Sequence, residues 1–274
     1  MVFKGDKCKN TRITFRVDGT LIASSDYPVL GRDSNWLSFV RVTGISIVGG
    51  TLDAKGTSLW ACKLAGGSTD CPNGATEVTS LNSQVFQIVI NGCQDVEIEG
   101  VAVNAAGNSP NTDGIHVQLS RSVAIFNTSI KTGDDCVSIG PGTKDLWIEQ
   151  ISCGPGHGIR IKSWARPSKG FVQRIQFLDA VMLNVKNPIL IDQNYCPGVR
   201  VSDVLYRNIE GTSATAVAIK FDCSPSNPCS GLRLESDFDL PEQNGSITLY
   251  QCKCEHFWHC SSRCLFVIFE KQIN

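Results

Sequence analysis

Long apolar runs are missing from these 274 residues. The longest, CLFVIF at 264–269, falls far short of the roughly 20 residues that a membrane-spanning helix needs, so no membrane partner is expected. A surplus of one charge is missing too. The 25 Lys and Arg stand against 26 Asp and Glu, a net charge of −1, so no broad basic field points to nucleic acid. With charged residues at only 19 %, a polyanionic partner would have to be held by a few placed cations. The opening MVFKGDKCKN lacks the apolar core of a secretory leader and passes straight into strand-like TRITFRVDGTLIAS.

What the chain has in quantity is short β-branched segments of period two, separated by Gly, Asn, Asp and Ser. One series reads GIHV, CVSI, GIRI, PILI (188–191) and AVAI (216–219). A second reads DVEIEGVAV (95–103), SVAIFNTSI (122–130), DLWIEQISC (145–153), RIQFLDAVM (174–182) and VRVSDVLYRNI (199–209), with GISIVGGTL (44–52) as an earlier member. Recurrence every 22 to 30 residues is the pattern of solenoid coils whose equivalent strands stack into parallel sheets. The expected fold is all-β, a parallel β-helix. A β-sandwich is the competitor, but its strands do not repeat their side-chain chemistry at a constant interval.

The turns before three of these strands carry ionisable groups in register. Aligning TDGIHV (112–117), DDCVSI (134–139) and GHGIRI (156–161) puts Asp113, Asp135 and His157 in one column, at intervals of 22 residues. Carboxylates one strand spacing apart, about 4.8 Å, repel and shift each other's pKa, a cost that points to chemistry more than to packing. Taken singly, each has a plainer reading: Gly-Asp-Asp as a solvated turn, the His as structural, and Arg160 with Lys162 as a solvated strand face. The common register is what argues against those readings.

Thirteen cysteines suit an oxidising compartment. Loop-closing separations predict the disulfides Cys62–Cys71, Cys136–Cys153 and Cys223–Cys229. Asn127-Thr128-Ser129 and Asn244-Gly245-Ser246 are glycosylation sequons if the chain is secreted. Secretion and the missing leader conflict, and the expectation is that this sequence lacks its natural N-terminus.

SPNTDGIHV (109–117), TGDDCVSIGPG (132–142), CGPGHGI (153–159), RIKSW (160–164) and DQNYC (192–196) together closely resemble the polygalacturonases, pectin-degrading glycoside hydrolases, and their plant branch in particular. The resemblance runs from residue 2 to about residue 239. It implies a right-handed parallel β-helix over 1–240, with 241–274 as an atypical Cys-rich tail. It also implies hydrolysis of α-1,4-galacturonosyl bonds with inversion, no metal or other cofactor, a pectic polysaccharide as partner, a secreted cell-wall enzyme and a monomer. An inverting glycosidase needs one protonated carboxyl for the leaving oxygen and a carboxylate across the sugar to activate water. By match to the family motifs, Asp134 is the general acid, Asp113 and Asp135 hold and activate the water, and His157 tunes the proton inventory. Arg160 and Lys162, of one parity on one strand, would take a galacturonate carboxylate. Tyr195 would contact the sugar near the cleavage point, and Asn111 would orient the carboxylates.

The chain departs from the family in three places. GHGI runs directly into RIK, motifs that sit on different coils in relatives, so Arg160 and Lys162 are expected one rung, about 4.8 Å, nearer the carboxylates. GATEVTSLNSQ (74–84) is short, and YCPGVRV (195–201) lacks a loop that carries a cysteine, which leaves Cys196 as the candidate unpaired thiol. In the tail, QCKCEHFWHCSSRC (251–264) has zinc-ligand residue types at spacings of no familiar finger. Two other readings follow. One is a catalytically inactive β-helix that binds pectin. The other is a pectate lyase needing calcium, against which the NTD, GDD, GHG and RIK set argues.

Overall fold

The computed structural model describes residues 2–22, 35–53, 86–109, 112–162, 170–193, 198–215 and 217–235. The expected Cys62–Cys71 bridge, Asn111, Tyr195, Cys196 and the tail 241–274 lie outside the described residues. Within them the secondary structure is all strand, and no helix is long and apolar enough to cross a membrane.

The strands form the stacked parallel ladders expected of a solenoid. One sheet orders β1 (Val2–Lys4), β4 (Asn35–Val40), β7 (Phe86–Asn91), β10 (Ile115–Gln118), β12 (Asp135–Ile139), β14 (Gly158–Lys162), β16 (Ile189–Asp192) and β18 (Ile219–Asp222). The second orders β2 (Ile13–Arg16), β5 (Thr43–Val48), β8 (Gln94–Glu99), β11 (Arg121–Lys131), β13 (Thr143–Cys153), β15 (Gly170–Val185), β17 (Val199–Ser213) and β19 (Ser230–Glu235). The short strands β3 (Thr20–Ile22), β6 (Thr51–Asp53) and β9 (Ala102–Asn104) continue onto the far half of β11 as a third face. Successive coils therefore wind into a right-handed parallel β-helix, the hand that strand twist favours for parallel crossovers.

Period-two alternation fills the interior. Ile88, Ile115, Val137, Ile159, Ile189 and Ile219 stand in ladder register on successive coils, and all lie in the buried core. Such columns supply the apolar burial that a solenoid gains from its neighbouring coils. The corners are built from left-handed residues, also in columns. Gly44, Asp95, Ser122, Asp145, Arg174, Asp203 and Gly231 all have positive φ at the entry to the second sheet. Asn127, Gln150, Asp179 and Asn208 repeat this at the exit. Asn and Asp tolerate that region better than other side chains, which explains their recurrence between strands. Asn127, the sequon residue, is thereby exposed at a corner.

Of the expected disulfides, Cys136–Cys153 and Cys223–Cys229 are formed. Cys93 is a free, buried thiol, and Cys8 is free and exposed.

Candidate active site

The site sits where β10, β12 and β14 lie side by side. Their ladders match Ile115 with Val137 and Val137 with Ile159, and His116 with Ser138 and Ser138 with Arg160. Since Ile115, Val137 and Ile159 are fully buried, alternation turns His116, Ser138, Arg160 and Lys162 to the opposite, outer face.

Strict alternation would aim Asp135 inward with Val137. The ladder breaks instead: Asp135 pairs with Gly158, and the register shifts before Val137. Cys136 and Val137 are therefore both buried, Cys136 through its bond to Cys153, and Asp135 is released to the side where Arg160 and Lys162 stand. The same shift slides the expected column by one residue, so that Gly158, not His157, faces Asp135. His157 reaches the carboxylates through its side chain.

The turns carrying the acids stack on one another. Thr112 and Thr132 share a hydroxyl contact at 2.7 Å, and Ser109 joins Thr112 at 2.7 Å. Gly133 packs so closely on this turn that a Cβ would lie 2.2 Å from the Ser109 carbonyl oxygen, which explains glycine before the two aspartates. Gly156, at φ +139°, meets the Asp134 carbonyl oxygen in the same way, and the His157 amide donates to that oxygen at 2.8 Å.

The charges converge on Asp135, whose side chain has no exposed surface. Arg160 Nε lies 2.7 Å from its Oδ1, Lys162 Nζ contacts its Oδ2, and His157 Nδ1 stands 3.4 Å from Oδ1. His157 Nδ1 is nearer to Asp134, at 2.9 Å, and Asp134 Oδ1 also accepts the Asp135 amide at 2.8 Å. The approaches of His157 Nδ1 and Arg160 Nε to Asp135 are charge contacts. Asp113 is 3 % exposed. Burial, then the charge of Asp135, push its carboxyl well above the usual carboxylate range, against the pull of Lys162. Contact with Asp134, then Asp135, raises the His157 pKa. Burial disfavours the Lys162 ammonium, but the charges of Asp135 and Asp113 outweigh it and push its pKa up.

The structure thus brings together Asp113, Asp134, Asp135, His157, Arg160 and Lys162. The carboxyl whose pKa is raised is Asp113, assigned to the water and not to the acid's role, and burial raises it more than the neighbouring charges do. Three further residues were not anticipated. Lys186 Nζ lies 3.1 Å from His157 Nε2; it reaches the site from the turn after β15, and nothing in the β15 pattern marks it. His116 and Ser138, joined at 2.7 Å, could have been found from the 22-residue register, since it aligns them with Arg160. Donor atoms of Asp134, Asp135 and His157 fall within 4.8 Å of one another, close enough for an ion, but cationic side chains of the chain itself already balance Asp135.

Comparison with known proteins places this geometry in context. The model of glycosyl hydrolases family 28 matches residues 1–166 and 158–260. The two stretches overlap across 158–166, the segment where GHGI runs into RIK, as expected if one segment stands in for parts of two coils. A polygalacturonase of Prunus persica is 49 % identical over 93 % of this chain and 77 % of its own length. That alignment has 310 positions, whereas 93 % of 274 residues is about 255, so about 55 positions of the relative have no counterpart here. An exopolygalacturonase of Platanus acerifolia is 35 % identical over 83 % of this chain and 74 % of its own. Among solved structures, endo-xylogalacturonan hydrolase from Aspergillus tubingensis superposes with a TM-score of 0.52 at 19 % identity, covering 86 % of this chain and 84 % of that one; this is a likeness of fold.

Proposed function

The chain belongs to glycosyl hydrolases family 28, and from that premise we infer that it is a polygalacturonase, hydrolysing α-1,4 bonds between galacturonate residues of pectin with inversion at the anomeric carbon. The observation that carries this reading is the convergence of Asp113, Asp134, Asp135 and His157 on the outer face of β10, β12 and β14, each in a motif typical of that family. Asp134, at the mouth of the cluster and in contact with His157, gives its proton to the leaving glycosidic oxygen. Asp113 and Asp135 hold the attacking water on the other side of the sugar. Between them they take the water's proton, as an inverting glycosidase requires. His157, its pKa raised by contact with Asp134 and then Asp135, keeps a protonated imidazole beside the acid.

Arg160 and Lys162 are the cations offered to a galacturonate carboxylate. Both are engaged with Asp135, so an incoming substrate carboxylate competes with Asp135 for them. We propose Tyr195 and Asn111 as further sugar-contacting and carboxylate-orienting residues on their motif positions, action as a monomer, and secretion to the cell wall. The compartment is supported by the two formed disulfides.

The test is release of reducing ends from polygalacturonate at about pH 5 by protein made in an oxidising host. Asp134→Asn is expected to lower turnover by about 10²–10⁴-fold with the fold unchanged. Undiminished turnover in that variant removes Asp134 from the acid's role. No release from a folded, β-rich wild-type sample would favour the reading in which Asp135 holds the clamp and the chain is a binding relative.

A further inference from the structure

Lys186 stands beside the carboxylate cluster without joining the ion pairs inside it. It follows β15 directly, and its ammonium Nζ lies 3.1 Å from His157 Nε2, while His157 Nδ1 faces Asp134 at 2.9 Å. One imidazole ring thus separates the ammonium from the acid. Backbone ties fix where the lysine stem begins. The Lys186 amide donates to the Gly156 carbonyl oxygen at 2.7 Å, and its own carbonyl oxygen accepts from the hydroxyls of Ser213, at 3.2 Å, and Thr215. The Asn187 amide donates to the His157 carbonyl oxygen at 3.3 Å. The Lys186 side chain is exposed, and among the described residues its ammonium meets His157 and no carboxylate. Arg160 and Lys162 differ, since both are drawn to Asp135.

We propose that Lys186 is a specificity-determining residue, whose ammonium forms with the Nε2 edge of His157 a cradle for the carboxylate of a galacturonate at the scissile bond. The inference rests on the reading of Asp134 as the acid of a polygalacturonase. Each sugar flanking that bond carries its carboxylate within one pyranose ring of the bridging oxygen, and Lys186 lies at a similar remove from Asp134. An ammonium has three N–H donors and no acceptor. One goes to Nε2 while the ring is neutral, and two are left for an anion. Once the ring is protonated, Nε2 is a donor as well. Two donors 3.1 Å apart then face each other, and a carboxylate, with an oxygen for each, satisfies both.

The surroundings favour an anion at this point. The groups that face the imidazole are Asp134 from the turn before β12, Asp135 from the start of that strand, Arg160 from β14 and Lys186 from the turn after β15. The two carboxylates lie on the Nδ1 side of the ring, so the Nε2 edge is left to Lys186. Asp135 is already balanced by Arg160 and Lys162. Lys186 therefore takes a substrate carboxylate without first breaking an ion pair, which Arg160 and Lys162 cannot do. A methyl ester keeps the acceptor oxygens of that carboxyl and loses its charge, so the cradle selects the free acid.

The experiment measures binding. In the Asp134→Asn background, which slows hydrolysis of the probe, calorimetry at about pH 5 compares trigalacturonate with its methyl ester, before and after Lys186→Met or Lys186→Arg is added. Methionine keeps the backbone ties and much of the stem. The expected result with Lys186→Met is a loss of about tenfold or more in affinity for trigalacturonate and none for the ester, with most of the affinity kept in Lys186→Arg. An equal loss for both probes would overturn the proposal, because Lys186 would then only steady His157. So would an unchanged affinity for trigalacturonate, or no binding of it by folded protein. Reducing-end release from polygalacturonate by the chain with Asp134 intact is measured alongside. Release without a Lys186-dependent preference for acid over ester would sink the cradle and leave the hydrolase reading standing, whereas that preference without release would do the reverse.

Discussion

Asp113 and His157 set opposite charge states at one site, yet they push stability the same way with pH. Asp113 has its pKa raised in the fold, so the folded chain keeps a proton that the unfolded chain loses above about 3.9. The folded state then binds more protons than the unfolded, and stability falls as pH rises through that window. His157 also has a raised pKa. Its contribution is complete below the unfolded value of about 6.5 and is lost as pH climbs through the folded value. The ion pairs that hold Asp6 and Asp145 below the usual carboxylate range are exposed and act below about pH 4, outside the range from 5 to 8. The thermal midpoint is therefore expected to be higher at pH 5 than at pH 8, and Asp113→Asn should flatten that slope while leaving the His157 part. A midpoint that climbs from pH 5 to pH 8 would refute the protonated, buried state of Asp113.

At the level of single strands and turns, sequence periodicity carried far. The 22-residue interval predicted the pairing of Ile115, Val137 and Ile159 that the ladders realise, because stacked parallel strands repeat whatever the sequence repeats. It did not predict the slip at Asp135, which falls beside the Cys136–Cys153 bridge, since a register break leaves the spacing of flanking residues intact. Nor did it predict how Arg160 and Lys162 are used in the folded chain. Parity placed them on one face, but only the coil-to-coil contact shows Asp135 between them. If the bridge fixes the slip, its removal should affect both stability and chemistry. Its sequence separation is 17, for which loop-closure entropy gives about 3 kcal/mol. The double variant Cys136→Ala, Cys153→Ala is expected to unfold at lower denaturant with a loss of that order. It should also lose turnover under conditions where it is still folded, as Asp135 drifts from its cations. A variant less stable but equally active when folded would show that the slip is held by the turns alone.

For the whole molecule the question is what a solenoid does when part of a coil is lost. A single-core domain would have to repack, but a β-helix can close up in register because each coil meets only its neighbours. The apolar columns here run unbroken from Ile88 to Ile219. The merged strand bears on the site instead: with GHGI and RIK on one strand, His157, Arg160 and Lys162 all meet Asp135, and the family resemblance implies a clamp about one rung, about 4.8 Å, farther away. Catalytic positioning is far less forgiving than packing, since a displacement of 1 Å can cost about 100-fold. Inserting between Ile159 and Arg160 the segment that the Prunus persica relative carries opposite this junction should return Arg160 and Lys162 to the next coil and leave Asp135 with His157. The chimera is expected to stay a β-helix by circular dichroism and to hydrolyse polygalacturonate at least about 100-fold faster in kcat/KM than the chain as it stands. Equal rates in two well-folded proteins would mean that the merged strand already positions its cations for catalysis, and that contact with Asp135 is part of the working site.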